Sequence, residues 1–100
     1  MEKTKTSTQR VPNLELAPPP MLKVIYVNDE KTTALFVVES LIEFFNYTAE
    51  SAEVITVDIH NNGKATVAVL PYEIAEQKGI EVTISARSAG FPLLIKIEPE

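Results

Sequence analysis

Polar side chains that can bind charged groups gather just after the first apolar run of the chain, residues 24–27. Asn28 and Asp29 follow this run, and Thr32 is placed to act as the N-cap of the periodic segment behind it. The single histidine, His60, stands at the predicted C-terminus of a later helix, where partial negative charge stabilises an imidazolium. Two interpretations stay open for this corner: a turn with helix caps only, or a binding site at the end of a strand.

These residues do not form a recognisable catalytic, metal-binding or phosphate-binding motif. The chain has no cysteine, and nothing in it resembles a nucleophile elbow that would pair a serine with His60. His60 with Asp58, Asp29 or Glu30 offers nitrogen and oxygen ligands, but their spacing matches no recognised metal motif. The three glycines are isolated, so no phosphate-binding loop is present. We therefore expect no enzyme activity, no metal and no cofactor.

Composition narrows the possible partners. The chain has 100 residues, 45% of them apolar, which suits one small domain. Its net charge is -5 and Lys and Arg form no long run, so we expect no nucleic-acid partner. There is no apolar run of about 18 residues and no N-terminal secretory segment, so we expect no membrane association and a cytoplasmic protein.

The elements around the corner follow from apolar periodicity. Residues 24–27 are β-branched or aromatic and predict a strand that is buried on both faces or paired on both edges. Residues 33–46 predict an amphipathic helix. Its expected buried stripe is Ala34, Val38, Leu41, Ile42 and Phe45. A second helix should begin after Thr48, end near His60 and be closed by a turn at Gly63.

The second half of the chain gives conflicting local signals. Residues 64–70 predict a strand that Pro71 ends. Within 72–89, Gly79 and the β-branched residues after it favour a strand, whereas one face at helical spacing favours a single long helix, and we predict the helix. That face consists of Ala75, Val82, Ala86 and Ala89. Residues 93–97 predict a terminal strand.

The predicted order is βααβαβ, an α+β fold with a three-stranded antiparallel sheet packed against three helices. Residues 1–20 carry four of the seven prolines and few large apolar side chains, which predicts a disordered extension with a stiff Pro-rich junction. The domain itself should cover residues 21–100.

Several short segments, none specific alone, together resemble the ClpS adaptor family of ATP-dependent Clp proteases over about residues 18 to 98. They are Val27-Asn28-Asp29-Glu30 with Thr32, Phe36-Val37, Phe44-Phe45, His60-Asn61-Asn62-Gly63-Lys64-Ala65, Ala75-Glu76-Gln77-Lys78 and Pro92-Leu93-Leu94. The resemblance implies the same βααβαβ topology. It also implies a monomeric adaptor that binds proteins with a bulky apolar first residue and delivers them to a hexameric ClpA- or ClpC-type AAA+ unfoldase, in the cytoplasm or a plastid stroma.

The resemblance also assigns site residues. It places Asn28, Asp29 and His60 on the substrate's α-amino group. It places five residues in a hydrophobic pocket for the first side chain: Thr32, Ala34, Thr56, Ile59 and Leu93. It places Glu73 and Lys78 against the N-terminal domain of the unfoldase, and residues 1–16 in the unfoldase pore during delivery.

Two residues depart from the family pattern. Ala34 and Thr56 stand where the family commonly has methionine, and the first of those methionines excludes β-branched first residues. We therefore expect a roomier pocket that tolerates Ile or Val, or prefers large aromatic side chains. Two alternatives remain: a ClpS-like regulator that docks on the unfoldase without reading N-termini, and a protein-interaction domain unconnected with proteolysis.

Overall fold

The computed structural model describes residues 18–100, so the predictions for residues 1–17 lie outside it. Its elements are β1 (Met21–Val27), α1 (Ala34–Phe45), α2 (Ala49–Asn62), β2 (Lys64–Pro71), α3 (Tyr72–Ser88) and β3 (Leu94–Pro99). The predicted order βααβαβ is confirmed, including one long helix where the local signals conflicted. The three prolines before β1 belong to no helix or strand, and the Pro20 carbonyl accepts a hydrogen bond from the Tyr72 N–H at 3.3 Å.

Strand β1 is the centre of the sheet, whose order is β2-β1-β3 with both pairings antiparallel. Val24 lies opposite Ala68 on one side and Ile97 on the other, and the register with β2 shifts between Val24 and Ile25. Val24, Ile25 and Tyr26 are consecutive and all buried, so side chains on both faces of β1 are covered. The strand that leads to the corner is therefore held on both edges and both faces.

Helix α1 buries part of the predicted stripe: Leu41 is buried, and Val38 and Phe45 are partly buried and pack against the core. Val37, Ser40 and Leu41 are its buried residues, whereas Ala34 and Ile42 are exposed. Ser40 makes polar contacts in the core: its Oγ donates to the Val37 carbonyl at 2.8 Å and lies 2.7 Å from the Tyr26 hydroxyl. Since Ser40 is polar, apolar periodicity alone does not identify it as a buried position.

The N-cap of α1 differs from the predicted residue. Thr33, not Thr32, is the N-cap of α1, and its Oγ1 accepts the Phe36 N–H at 3.1 Å. Thr48 caps α2 as predicted, with its Oγ1 accepting the Ser51 N–H. Gly63, at φ 87°, ends α2 in the left-handed conformation that glycine adopts without strain.

Helix α3 lies close against the sheet at Gly79. A Cβ built on Gly79 would lie 3.3 Å from the Ile97 Cδ1, so the missing side chain is what allows this approach. Ala75, Val82 and Ala86 are buried on the predicted face. The expectation for Ala89 was wrong: the helix ends at Ser88 and Ala89 is an exposed C-cap residue.

Candidate functional site

The corner after β1 is joined to the end of α2 by the backbone. The Asn28 N–H donates to the Gly63 carbonyl at 2.8 Å. Because Gly63 follows the last turn of α2, this bond brings His60 to the same end of the molecule as Asn28 and Asp29. The left-handed turn at Gly63 thus positions two parts of the chain that are far apart in sequence.

The Asp29 carboxylate organises the turn between β1 and α1. Its Oδ1 accepts the Lys31 and Thr32 backbone N–H groups, each at 2.7 Å, and its Oδ2 accepts the Thr32 hydroxyl at 2.7 Å. The last of these bonds directs the Thr32 side chain to Asp29, and Thr33 is the residue that caps α1. A carboxylate has about four acceptor positions, so Asp29 can still accept one further donor at Oδ2.

The charge of Asp29 is favoured by its surroundings. Partial burial by itself raises the pKa of the carboxyl, but the hydrogen bonds from Thr32 and Lys31, helped by the positive charge of Arg87, lower it more, and the net pKa lies below its ordinary value. Asp29 is therefore a carboxylate throughout the neutral pH range, fixed in place by the turn it caps.

A cavity of about 640 Å³, the corner cavity, opens beside this carboxylate. It is lined by Asn28, Asp29, Glu30, Thr32, Ala34, Val37, Thr56, Val57, Ile59 and His60. The structure thus brings together the three residues expected at the amine and four of the five expected in the hydrophobic pocket. The cavity has a polar end with two carboxylates and an apolar end between α1 and α2.

The apolar end of the corner cavity is lined by small or β-branched side chains. Ala34 contributes a single methyl group, and the Thr56 hydroxyl is occupied because it donates to the Ala52 carbonyl at 2.6 Å. Val37, Val57 and Ile59 are β-branched, and such side chains have one strongly preferred rotamer in a helix. The walls are therefore stiff, and no long flexible side chain fills the space.

Val37 and Val57 are cavity residues that the sequence analysis missed. A helical signal exists for both: Val37 lies one turn after Ala34, and Val57 lies one turn before His60. Glu30, next to Asp29, lines the cavity as well.

Leu93 is not among the residues that line the corner cavity. Its side chain is 1% exposed and belongs to the core, in the segment between α3 and β3. Arg87 holds this segment, because its Nη1 donates to the Phe91 carbonyl at 3.0 Å and to the Leu93 carbonyl at 2.8 Å. Phe91 packs edge-on against Phe36 of α1 at 5.3 Å between ring centroids. Leu93 is therefore part of the hydrophobic core.

The two residues expected to contact the unfoldase lie on α3, away from the corner cavity. Glu73 is exposed in the first turn, where an acidic side chain suits the positive end of the helix dipole. Lys78 is partly exposed, with its Nζ 3.9 Å from the Glu81 Oε1. Exposed pairs of this kind contribute little to stability, so Lys78 remains available to a partner.

Within residues 18–100, no group of three or more His, Asp or Glu side chains comes together as a metal site. Over the same residues, no helix has the length and apolar character needed to cross a bilayer.

Comparison with known proteins identifies the family. The profile of the ATP-dependent Clp protease adaptor protein ClpS matches residues 17–96. The chain belongs to the ClpS family. The resemblance read from the sequence is therefore confirmed, and the family's role is that of a regulatory adaptor of the Clp protease, not of a catalyst.

Individual relatives span nearly the whole chain. The ClpS adaptor of Acetivibrio thermocellus is 43% identical over 96 residues, which cover 96% of this chain and 97% of that protein. The ClpS adaptor of Campylobacter jejuni strain 81-176 is 39% identical over 93 residues, covering 93% and 97%. The structure of Agrobacterium tumefaciens ClpS2 bound to L-phenylalaninamide matches with a TM-score of 0.80 at 35% identity, covering 83% of this chain and 100% of that one.

Proposed function

We propose that this ClpS-family chain recognises proteins by a free N-terminus with a bulky apolar first residue and delivers them to a ClpA- or ClpC-type unfoldase in the cytoplasm. The observation that carries the proposal is the corner cavity, in which the Asp29 carboxylate, fixed by its hydrogen bonds, lies beside an apolar recess.

The polar end suits an α-ammonium group. Such a group has one positive charge and three N–H donors. Asp29 offers its remaining acceptor position, and the Asn28 amide oxygen and a neutral His60 imidazole nitrogen offer two more acceptors at the same cavity. A protonated imidazole has no acceptor, so the neutral form of His60 is the one that binds. Hydrogen bonds to a charged group contribute about 1.5 to 3 kcal/mol each.

The apolar end suits the first side chain. Burying a Leu or Phe side chain contributes about 1.5 to 3 kcal/mol, which together with the amine contacts is consistent with an affinity of about micromolar. L-Phenylalaninamide, the ligand named for the A. tumefaciens relative, has both a free α-amine and an aromatic side chain. That ligand supports the same division of the cavity here.

Calorimetric titration with a Leu-initiated and a Phe-initiated peptide, and with their N-acetylated forms, tests this function. Acetylation removes the charge and two of the three donors, so we expect binding of the free peptides and a loss of about 100-fold or more on acetylation. The same titration of the variant Asp29→Asn should show a comparable loss for the free peptides. Equal binding of both peptide forms would contradict the proposal. No binding to any free N-terminus would favour the regulator that docks on the unfoldase without reading substrates.

A further inference from the structure

Two threonines in the wall of the corner cavity have already donated their hydroxyl protons. Thr32 donates to the Asp29 Oδ2 at 2.7 Å, and Thr56 donates to the Ala52 carbonyl at 2.6 Å. A hydroxyl has one proton and two lone pairs, so each oxygen can still accept a hydrogen bond but has no second proton to donate. The cavity wall therefore contains two hydroxyl oxygens that act only as acceptors toward a ligand.

The Thr56 oxygen is the acceptor at the apolar end of the cavity. Thr56 lies on α2 with the apolar cavity residues Val57 and Ile59, and it is only 8% exposed. Among the described residues, the Ala52 carbonyl is the one hydrogen-bond partner of its hydroxyl. The backbone does not need this bond, because a helical Ala52 carbonyl already accepts the N–H of the residue four positions later, which is Thr56 itself. The Thr56 side chain is thus more than nine-tenths buried and keeps unused capacity to accept.

The position of Thr56 fits the far end of a long first side chain. Thr56 and His60 are four residues apart on α2, so they lie on one face of the helix and about 6 Å apart along its axis. A substrate residue whose α-amine is held by Asp29 and His60 points its side chain into the apolar end, toward Thr56. Ala34 contributes only a methyl group to the wall, which leaves room for an aromatic ring. The atom at the end of that ring is the one that meets the Thr56 oxygen.

We propose that the Thr56 Oγ1 accepts a hydrogen bond from the phenol of an N-terminal tyrosine, and that this chain therefore prefers substrates beginning with Tyr over substrates beginning with Phe. Tyrosine has the aromatic ring that the apolar end accommodates and a hydroxyl donor at the end of the ring, whereas phenylalanine has no donor there. The inference rests on the proposed function, which places the first side chain in the corner cavity. Thr56 is then a residue that sets substrate specificity, and more than a small side chain in the cavity wall.

The size of the preference follows from the partner that Thr56 already has. Because its proton is bonded to the Ala52 carbonyl, a phenylalanine ring beside it leaves no buried donor unpaired, and Phe is not strongly rejected. The net gain from one neutral hydrogen bond corresponds to an affinity about 3- to 10-fold higher for Tyr. Removing the oxygen has a larger effect, since a buried phenol without an acceptor loses about 5- to 100-fold.

Calorimetric titration with three peptides that differ only in their first residue tests this inference. The first residues are Tyr, Phe and O-methyltyrosine, which keeps the ring oxygen of Tyr but lacks its donor. The variant Thr56→Val replaces the hydroxyl by a methyl group, and Thr56→Ser keeps the hydroxyl. The matched control is Thr83→Val on α3, which lies outside the corner cavity. Binding of the Phe-initiated peptide shows in each variant that the cavity is still formed.

We expect the parent chain, Thr56→Ser and Thr83→Val to bind the Tyr-initiated peptide about 3- to 10-fold more tightly than the other two peptides. Thr56→Val should weaken Tyr binding about 5- to 100-fold and change Phe binding by no more than about twofold.

Three results would overturn the inference and leave the proposed function standing. They are equal binding of Tyr and Phe by the parent chain, a preference that O-methyltyrosine shares with Tyr, and a Tyr preference that survives in Thr56→Val, which would assign the acceptor to another group such as the Thr32 oxygen. If the parent chain binds none of the three free peptides, the inference and the proposed function are both wrong.

Discussion

Asp29 has two tasks at the scale of single residues. It accepts three hydrogen bonds from its own turn, at 2.7 Å each, and under the proposed function its remaining acceptor position binds the ligand's amine in the corner cavity. The two interpretations of the corner, a capped turn or a binding site, therefore do not exclude each other. The turn fixes the carboxylate in one orientation, which a site for a charged group needs.

The pH profile of peptide binding should report the charge on the peptide amine. The pKa of Asp29 lies below its ordinary value of about 3.9, so its carboxylate is lost only as the pH falls through that lowered value. An α-amine loses its proton near pH 7.7 to 8.0, so we expect the affinity for a Phe-initiated peptide to fall roughly tenfold per pH unit above about 8. Calorimetry at several pH values between about 7 and about 10 measures this. An affinity that stays constant over that range would contradict recognition of a charged amine.

Ala34 should set the tolerance for the first side chain. Because Ala34 contributes only a methyl group to the cavity wall, we expect Ile-initiated peptides to bind within about tenfold of Leu-initiated ones. The variant Ala34→Met should weaken the binding of Ile-initiated peptides by about 10- to 200-fold relative to Leu-initiated ones. A peptide panel starting with Leu, Phe, Trp, Ile and Val measures it. Ala49→Met places the same side chain at an exposed position outside the cavity and should change nothing. Strong rejection of Ile by the parent chain would show that Ala34 does not set this preference.

At the scale of elements, the strands, the start of α2 at Thr48 and the Gly63 turn could be read from the sequence because they depend on local propensity and caps. The cap of α1 could not, since the Thr32 side chain bonds to Asp29 and Thr33 caps the helix. The burial of Ser40 in α1 could not, since its hydroxyl pairs with that of Tyr26, a residue of a different element. The exposed position of Ala89 was missed because it depends on where α3 ends, a boundary that periodicity fixes poorly.

The Ser40 hydroxyl should contribute to stability through Tyr26. A serine has one proton, which Ser40 gives to the Val37 carbonyl, so Tyr26 is the donor of the bond between the two hydroxyls. The variant Ser40→Ala leaves the Tyr26 hydroxyl buried without a partner and should lower the free energy of unfolding by about 1 to 3 kcal/mol. Urea denaturation measures this value.

A double-mutant cycle supplies the control for Ser40. Adding Tyr26→Phe removes the second partner, so the double variant should recover part of the loss. Unchanged stability of Ser40→Ala alone would mean that this buried pair has no net effect on folding.

Position 79 should accept an alanine side chain but not a larger one. Ala at this position would gain about 0.5 to 1 kcal/mol of helix propensity, and its Cβ would require only a small shift of the Ile97 Cδ1, which ends a flexible side chain. We therefore expect Gly79→Ala to be close to neutral in thermal or urea unfolding. Gly79→Leu should destabilise the chain by about 1 to 3 kcal/mol through overpacking. A stable Gly79→Leu variant would show that α3 does not need its close approach to β3.

At the scale of the whole molecule, the fold keeps two surfaces apart. The corner cavity lies between the end of β1 and the helices α1 and α2, whereas a second recess, lined in part by Ile80 and Ile84, lies between α3 and β3. The residues of the polar corner could be named from the sequence and the family resemblance. Most of the apolar end could also be named from the resemblance, but Val37 and Val57 could not, because they join the cavity only through the packing of α1 on α2. Leu93 is buried in the core and is not among the residues that line the cavity, so its expected place in the pocket stays a prediction.

The most direct test of the central claim is to map where a free N-terminus binds. Titration of the ¹⁵N-labelled chain with a Phe-initiated peptide should shift the backbone resonances of Asn28, Asp29, Thr56 and His60 and leave those of Ile80 and Ile84 unchanged. The acetylated peptide should cause no such shifts. Shifts centred on Ile80 and Ile84, or identical shifts with both peptides, would contradict the claim that the corner cavity holds a cationic chain terminus.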